Sequence, residues 1–391
     1  MASQSVPRKL WEHPNPELTN MGRFRRALER ETNSSFQVFL VIDYFDFIWL
    51  IFCQDFHDLF DFSVNRRDAF WDFCWKYFNP IHEGTYTRVV EGTVRMDSIP
   101  RWFEGVRLNF AENLLFSRSS SGIAGKEDDK IATVEVREGA ADQAVYVTWG
   151  ELRRKTGQLI QAMKAHGVVK GDRVAVCASN SVDTLLVFLA TTAIGAIFSS
   201  SSTDMGVKGV LDRLLQIRPR WLFMDDHAVY NGKKIDLRPK MVDIVKGMQS
   251  VGEFQGLVSQ PRFNRKSADI SHVPRAKSLA DFLAPAPHAQ LEFERIAFHD
   301  PFLVVYSSGT TGQPKCIVHS VGGVLLTAHK EGKLHQEINA DSVVLQYTTT
   351  GWIMYLVVVQ TLLFGSRVVL YDGNPFVPDT ASLLKLAEKE K

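Results

Sequence analysis

The stretch DRVAVCASNSVDTLLVFLATTAIGA, residues 172–196, decides the fold. DRVAVCA is a short valine-bearing apolar run and reads as a strand. SVDTLLVFLATTAIGA is too long for a strand and apolar on nearly every side, so it reads as a buried helix. A strand that feeds directly into a buried helix is the first half of a strand–helix–strand unit.

The same alternation extends outward in both directions. Upstream, IATVEV and AVYVTW read as strands. Thr148 then caps a helix on which Leu152, Leu159, Ile160 and Met163 share one side and which Gly167 ends. Downstream, a short helix around Val210 to Ile217 leads to the strand WLFMDD. PRAKSLADFLAPAPHAQ, residues 274–290, reads as a connection. FLVVY, GGVLLTAHKEGKL, SVVLQY, YLVVVQTLLFG and RVVLY then continue as strand, helix, strand, helix and strand. This order, with right-handed crossovers, predicts an α/β fold of layered, doubly wound parallel sheets flanked by helices. No fixed-period repeat is present.

The totals agree with a large globular chain. There are 391 residues, 45% hydrophobic, enough for a large core and for two or three domain-sized units. The net charge is +1, from 45 basic and 44 acidic residues, which gives no support to nucleic-acid binding. Cys53, Cys74, Cys177 and Cys316 lack metal-type spacing, and they read as buried free thiols of a reducing compartment. MASQSVPRKLWEHP lacks the apolar core of a signal peptide.

The amino-terminal part is organised differently. Residues 1–36 are polar and mixed. In FHDLFDFSVNRRDAFWDFCWKYF, residues 56–78, Phe70, Phe73, Trp75 and Phe78 fit one packing face of a helix. SRSSSGIAGKEDDK, residues 117–130, is a solvated loop. The most apolar run, VFLVIDYFDFIWLIFC at 38–53, is shorter than the ~20 residues of a membrane span. It also carries Asp43 and Asp46, which are costly in lipid. It is expected to pack as a buried or surface hairpin or helix.

The chemistry concentrates in YSSGTTGQPK, residues 306–315. The layout puts this loop at the carboxyl end of a parallel strand, where open α/β sheets bind ligands. Glycines let backbone amides approach an anion. Ser307, Ser308, Thr310 and Thr311 add hydroxyl donors, Gly309 and Gly312 add freedom, and Lys315 adds a full positive charge. Together they form a cradle for a polyphosphate. A Walker A loop ends in Gly-Lys-Ser/Thr and opens a helix. Here Pro314 precedes Lys315 and CIVHS follows with strand character, so the loop joins strand to strand.

YSSGTTGQPK resembles the phosphate-binding loop of the adenylate-forming acyl-CoA synthetases. WFEGVRLNFAENLL at 102–115 is similar to the amino-terminal region of their short-chain branch. VYNGKK at 229–234, PKCIVHSVGG, TTTGW at 348–352 and VLYDGNP at 369–375 look most like the acetoacetyl-CoA synthetase family within it. The resemblance spans about residues 56–376. It implies an amino-terminal extension over 1–116, with the apolar insert at 38–53, and a partial AMP-dependent ligase domain over 117–391. It also implies ATP-dependent activation of acetoacetate through an acyl-adenylate, followed by capture by CoA. ATP, Mg2+ and CoA are then co-substrates of a cytosolic enzyme of ketone-body and lipid metabolism, with no nucleic-acid partner. Ser307, Ser308, Gly309, Thr310, Thr311, Gly312 and Lys315 would hold the ATP phosphates, with Thr311 and Lys315 assisting catalysis. Gly351 and Trp352 match the short-acid pocket, and Lys233 matches a position that meets CoA phosphates. An ordinary core tryptophan and a solvated surface lysine are the alternatives for the last two.

Two departures qualify that resemblance. The chain ends in SLLKLAEKEK, before the family's adenine- and ribose-binding segments and its small lid domain with the adenylation lysine. Adenylation by this chain is therefore expected to be impaired. The family also lacks an apolar insert like that at 38–53. A non-catalytic fragment that binds nucleotide weakly or pairs with a full-length homologue, and a membrane-associated protein anchored by 38–53, are the alternatives. Other residues give little. Cys316 and His319 fall on opposite faces of a strand. His329 and His335 are wrongly spaced for a shared metal. Residues 199–203, SSSST, fit a strand-to-helix turn, and Asp58, Asp61 and Asp68 read as solvent-facing charge.

Overall fold

A computed structural model describes residues 14–35, 56–92, 95–263, 268–286, 288–307 and 312–391. The apolar run at 38–53 and the loop residues Ser308, Gly309, Thr310 and Thr311 lie outside the described residues. The chain divides into two compact units, one of residues 1–79 with 329–337, the other of 80–328 with 338–391.

The first unit contains α1 (Asn20–Ser35), α2 (Phe56–Asn65) and α3 (Arg67–Phe78). Phe24 of α1 is fully buried, its ring 5.0 Å from Phe73 and 5.1 Å from Tyr77 of α3 in edge-on contacts. Phe70, Phe73 and Trp75 are buried, as their spacing requires, and Phe78 is half-buried.

The second unit holds the sheets. Short strands β1 (His82–Glu83) and β2 (Arg107–Leu108) precede α4 (Phe110–Leu115), β3 (Ile131–Arg137) and β4 (Val145–Thr148). Then come α5 (Trp149–Ala165), β5 (Arg173–Cys177), α6 (Val182–Ala193), β6 (Ile197–Ser201), α7 (Val207–Ile217) and β7 (Trp221–Asp225). They are followed by β8 (His227–Tyr230), β9 (Lys233–Asp236), α8 (Arg238–Gly247), β10 (Gly256–Gln260), β11 (Ala276–Ser278) and α9 (Leu279–Leu283). The last elements are β12 (Ile296–Ala297), β13 (Pro301–Ser307), β14 (Lys315–Ser320), α10 (Val321–Lys330), β15 (Val343–Leu345), α11 (Ile353–Val359), β16 (Arg367–Asp372) and α12 (Ser382–Lys389).

The main sheet runs β11-β10-β7-β5-β6-β13-β14. Its strands are parallel except β14, which folds back on β13 as an antiparallel hairpin. A second sheet runs β15-β16-β3-β4, parallel until the β3–β4 hairpin. The central strands are buried throughout, which requires helices on both faces. On one face Phe188 of α6 stacks on Phe198 of β6 at 4.5 Å and on Phe110 of α4 at 5.3 Å. On the other, Val210 and Leu214 of α7 and Met241 and Ile244 of α8 pack on Leu222, Met224 and Leu257. The Thr148 cap is a full capping box with Glu151.

The region 274–290 departs from the sequence reading. It is not only a connection, because it supplies the edge strand β11 and the helix α9. Elements of three and five residues are too short to show a period. Among the described residues, no helix is long and apolar enough to cross a membrane.

Candidate functional site

A small cleft opens where the carboxyl ends of strands from both large sheets meet. It is lined by Ala178, Ser179 and Asn180 after β5, by Ser202 and Thr203 after β6, and by Tyr371, Asp372 and Gly373 at the end of β16. The segment Tyr347–Thr350, which follows β15, completes it. Parallel strands carry their ligand sites at this end.

Hydroxyls and backbone carbonyls hold the cleft's shape. The Thr350 hydroxyl donates to the carbonyl of Ala178 at 2.7 Å and reaches that of Ser201 at 3.2 Å. The Ser200 hydroxyl donates to the Thr350 carbonyl at 2.6 Å. One threonine thus ties the ends of β5 and β6 to the segment from the other sheet. Residues 199–203 are accordingly more than a turn. Ser199 to Ser201 are strand residues, and Ser202 and Thr203 border the cleft.

The strand ends that flank the hydroxyl-rich loop belong to the same sheet end. β13 lies beside β6, with Val304 opposite Ser199, so the loop leaves its strand one position from the cleft-lining end of β6. Ser307 pairs with Lys315 at the base of the hairpin, which bears out the strand-to-strand reading. Four contacts brace that base. The Tyr306 hydroxyl donates to the Arg213 carbonyl at 3.4 Å and lies 3.1 Å from the Ser199 hydroxyl, and the Arg213 guanidinium sits over its ring. The Gln216 amide donates to the carbonyl of Pro314 at 3.1 Å. Gly312 has φ +85°, a conformation that favours glycine. Lys315 is exposed and has no ion-pair partner among the described residues. Its ammonium is therefore available to an anion.

Beneath the cleft lies a buried charge network that the sequence reading missed. Arg262, just past β10, reaches Glu135 of β3 at 2.5 Å and Asp372 of β16 at 2.9 Å. Asp225, at the end of β7, accepts the Ser179 amide at 2.8 Å and the Ser179 hydroxyl. Burial pushes the Asp225 carboxyl up to about 7, against the pull of Arg262 and Ser179. Burial and the nearby Glu135 push Asp183 up to about 6. Burial alone would lower the Arg262 guanidinium, but Glu135, Asp372 and Asp225 more than offset it, and it stays a cation. The network pins strand ends of both sheets, which fixes the cleft floor.

The remaining sequence-selected residues fall around this centre. Gly351 passes close to the Ser202 backbone, since a Cβ there would lie 3.1 Å from the Ser202 nitrogen. Trp352 is 69% exposed at the start of α11 and is not a core residue. Lys233 opens β9 on an exposed hairpin and has no ion-pair partner among the described residues. Cys177 is pushed up to about 12 by burial, and Cys316 is raised for the same reason, so neither offers a thiolate nucleophile. Among the described residues, no group of three His, Cys, Asp or Glu side chains is placed to hold a metal ion.

Comparison with known proteins converges on one family. Residues 123–391 match the family model described as AMP-binding enzyme. Acetoacetyl-CoA synthetase of Danio rerio is 38% identical over 385 residues, covering 97% of this chain and 53% of its own length. Malonamoyl-CoA synthetase vrtB of Penicillium aethiopicum is 35% identical over 372 residues, covering 94% of this chain and 48% of its own. The solved acetoacetyl-CoA synthetase from Streptomyces lividans superposes with a TM-score of 0.83 at 29% identity, over 98% of this chain and 54% of that one. The chain thus spans about half the length of the relatives it matches. The strand-end cleft, the braced hydroxyl-rich hairpin and the match over 123–391 agree, and the chain belongs to the AMP-binding enzyme family.

Proposed function

We propose that this chain carries the nucleotide-phosphate site of an ATP-dependent acid–CoA ligase acting on acetoacetate. The observation that carries this reading is the hairpin base. Ser307 pairs with Lys315, and an exposed, unpaired ammonium stands at the carboxyl end of a parallel strand. In the first half-reaction a carboxylate oxygen attacks the α-phosphorus of ATP, and the bond to pyrophosphate breaks. In the second, the CoA thiolate attacks the acyl carbon and AMP leaves. The protein's part in the first step is to neutralise and orient the departing pyrophosphate. Ser307, Ser308, Gly309, Thr310, Thr311, Gly312 and Lys315 take that role, and magnesium accompanies the phosphates.

The acid is assigned from relatives named for acetoacetyl- and malonamoyl-CoA synthesis. Those two acyl groups differ only in a terminal methyl against an amino group, so a short 3-oxo acid fits both. Gly351 and Trp352 would border the acid and Lys233 would meet CoA phosphates. Residues 1–116 would form the amino-terminal extension and 117–391 the ligase domain, in a cytosolic protein.

Acetoacetate-dependent exchange of labelled pyrophosphate into ATP tests the reading. Exchange with acetoacetate well above that with acetate supports it. ATP binding without exchange for any short acid would contradict it and leave a nucleotide binder that activates nothing.

A further inference from the structure

Two of the sequence motifs selected above, VYNGKK and VLYDGNP, are joined by a residue that neither contains. Glu138 follows β3 and is buried. One carboxylate oxygen accepts the backbone N–H of Asn231 at 3.0 Å and that of Asn374 at 2.7 Å, and the other accepts the N–H of Gly232. Its own amide donates to the carbonyl of Asp372 at 2.8 Å. The Asn374 side chain also donates to the Asn231 side chain. Asn231 and Gly232 have φ +52° and +73°, the two-residue hairpin turn that Asn-Gly favours. Gly373 has φ +111°, and a Cβ there would fall 2.4 Å from that of Glu138, so the loop after β16 closes over the carboxylate only as glycine.

The residue after that turn is Lys233. Lys234 lies 4.9 Å over the Phe263 ring, and the Arg137 guanidinium lies 5.3 Å from the same ring. Three cationic side chains therefore issue from the turn and from the strand end that precedes Glu138. The carboxylate is spent on three N–H donors and buried, so it fixes the turn without presenting its charge to an approaching anion. The same residue touches Gly373 and Asn374, next to the cleft-lining Asp372.

We propose that Glu138 is a positioning residue, which locks the β8–β9 turn to the end of β16 and thereby holds Lys233 where it meets the phosphate-rich end of CoA. This rests on the reading of Lys233 as a phosphate contact. The test uses the 391-residue chain, with adenosine 3′,5′-bisphosphate as probe, and reads both affinity and amide hydrogen exchange. Glu138→Gln is expected to weaken the probe about tenfold, because a loosened support displaces its contact group. ATP affinity stays unchanged. Exchange at residues 231–233 accelerates at least ~10-fold while strand β7 is unaffected. In a Lys233→Ala background, Glu138→Gln produces no further loss of affinity.

Unchanged exchange at 231–233, or a loss that adds fully to that of Lys233→Ala, would overturn the proposal. If Lys233→Ala binds the probe as tightly as the parent, the phosphate reading of Lys233 fails and the proposal's affinity claim with it. The exchange data then report separately on the Glu138 lock. Asn374→Ala removes the side-chain bridge to Asn231, together with the acceptor of the Phe376 N–H, and gives a smaller change in the same direction if Glu138→Gln does not fold.

Discussion

Lys315 and Arg262 carry the same charge in the same strand-end region, and their surroundings assign them opposite duties. Arg262 is buried and answered by Glu135 and Asp372 within 2.9 Å, with Asp225 nearby. Each of its three guanidinium nitrogens donates to a carboxylate, Nε and Nη2 to Asp372 and Nη1 to Glu135. Lys315 is exposed at the base of a glycine-bearing hairpin and answers to nothing among the described residues. A cation satisfied inside the fold holds structure, and an exposed, unpaired one is free to take the phosphate role proposed for Lys315.

The largest way to break that comparison is to remove the buried cation. Arg262→Ala leaves Glu135, Asp372 and Asp225 without their counter-charge and should cost about 3–5 kcal/mol in urea denaturation. Lys315→Ala should cost no more than ~0.5 kcal/mol. Equal costs would erase the distinction. A smaller effect sharpens it: Thr350→Val removes the hydroxyl bridge between β5 and β6 and should lower stability by about 1 kcal/mol.

Acidity probes the same network. Burial raises Asp225 to about 7 and Asp183 to about 6, above their ordinary value. The native state therefore holds protons that the unfolded chain has released. Stability from these groups is complete below about pH 4 and is lost as pH rises through 6 and 7, at on the order of 1 kcal/mol per pH unit. Melting temperatures measured from pH 5 to 8 should fall, and Asp225→Asn should flatten that fall. Melting temperatures that stay flat over this range would mean that the carboxylates titrate in their ordinary range.

The difference between the two cations also explains what the sequence could reveal. Lys315 sits inside a contiguous run of ten residues whose hydroxyls, glycines and lysine announce anion binding together. The parallel sheet was equally legible, because α6 is apolar on nearly every side and the strand before it, β5, is short and valine-bearing. The Arg262 network was not. Its carboxylates come from residues 135, 183, 225 and 372, each the one carboxylate of its strand or helix, and only the fold brings them together. Glu138 was hidden for the same reason, since its partners Asn231 and Asn374 are distant in sequence. Thr350 was quoted within TTTGW, yet nothing local shows that its hydroxyl serves β5 and β6.

The central claim is that the 307–315 hairpin binds the triphosphate. Calorimetric titration of ATP with magnesium into the parent chain and into a Lys315→Ala, Thr311→Ala variant tests it most directly. The variant should bind at least ~10-fold more weakly, about 1.4 kcal/mol or more, with the melting temperature of the free protein unchanged. Equal affinity in the two proteins would contradict it.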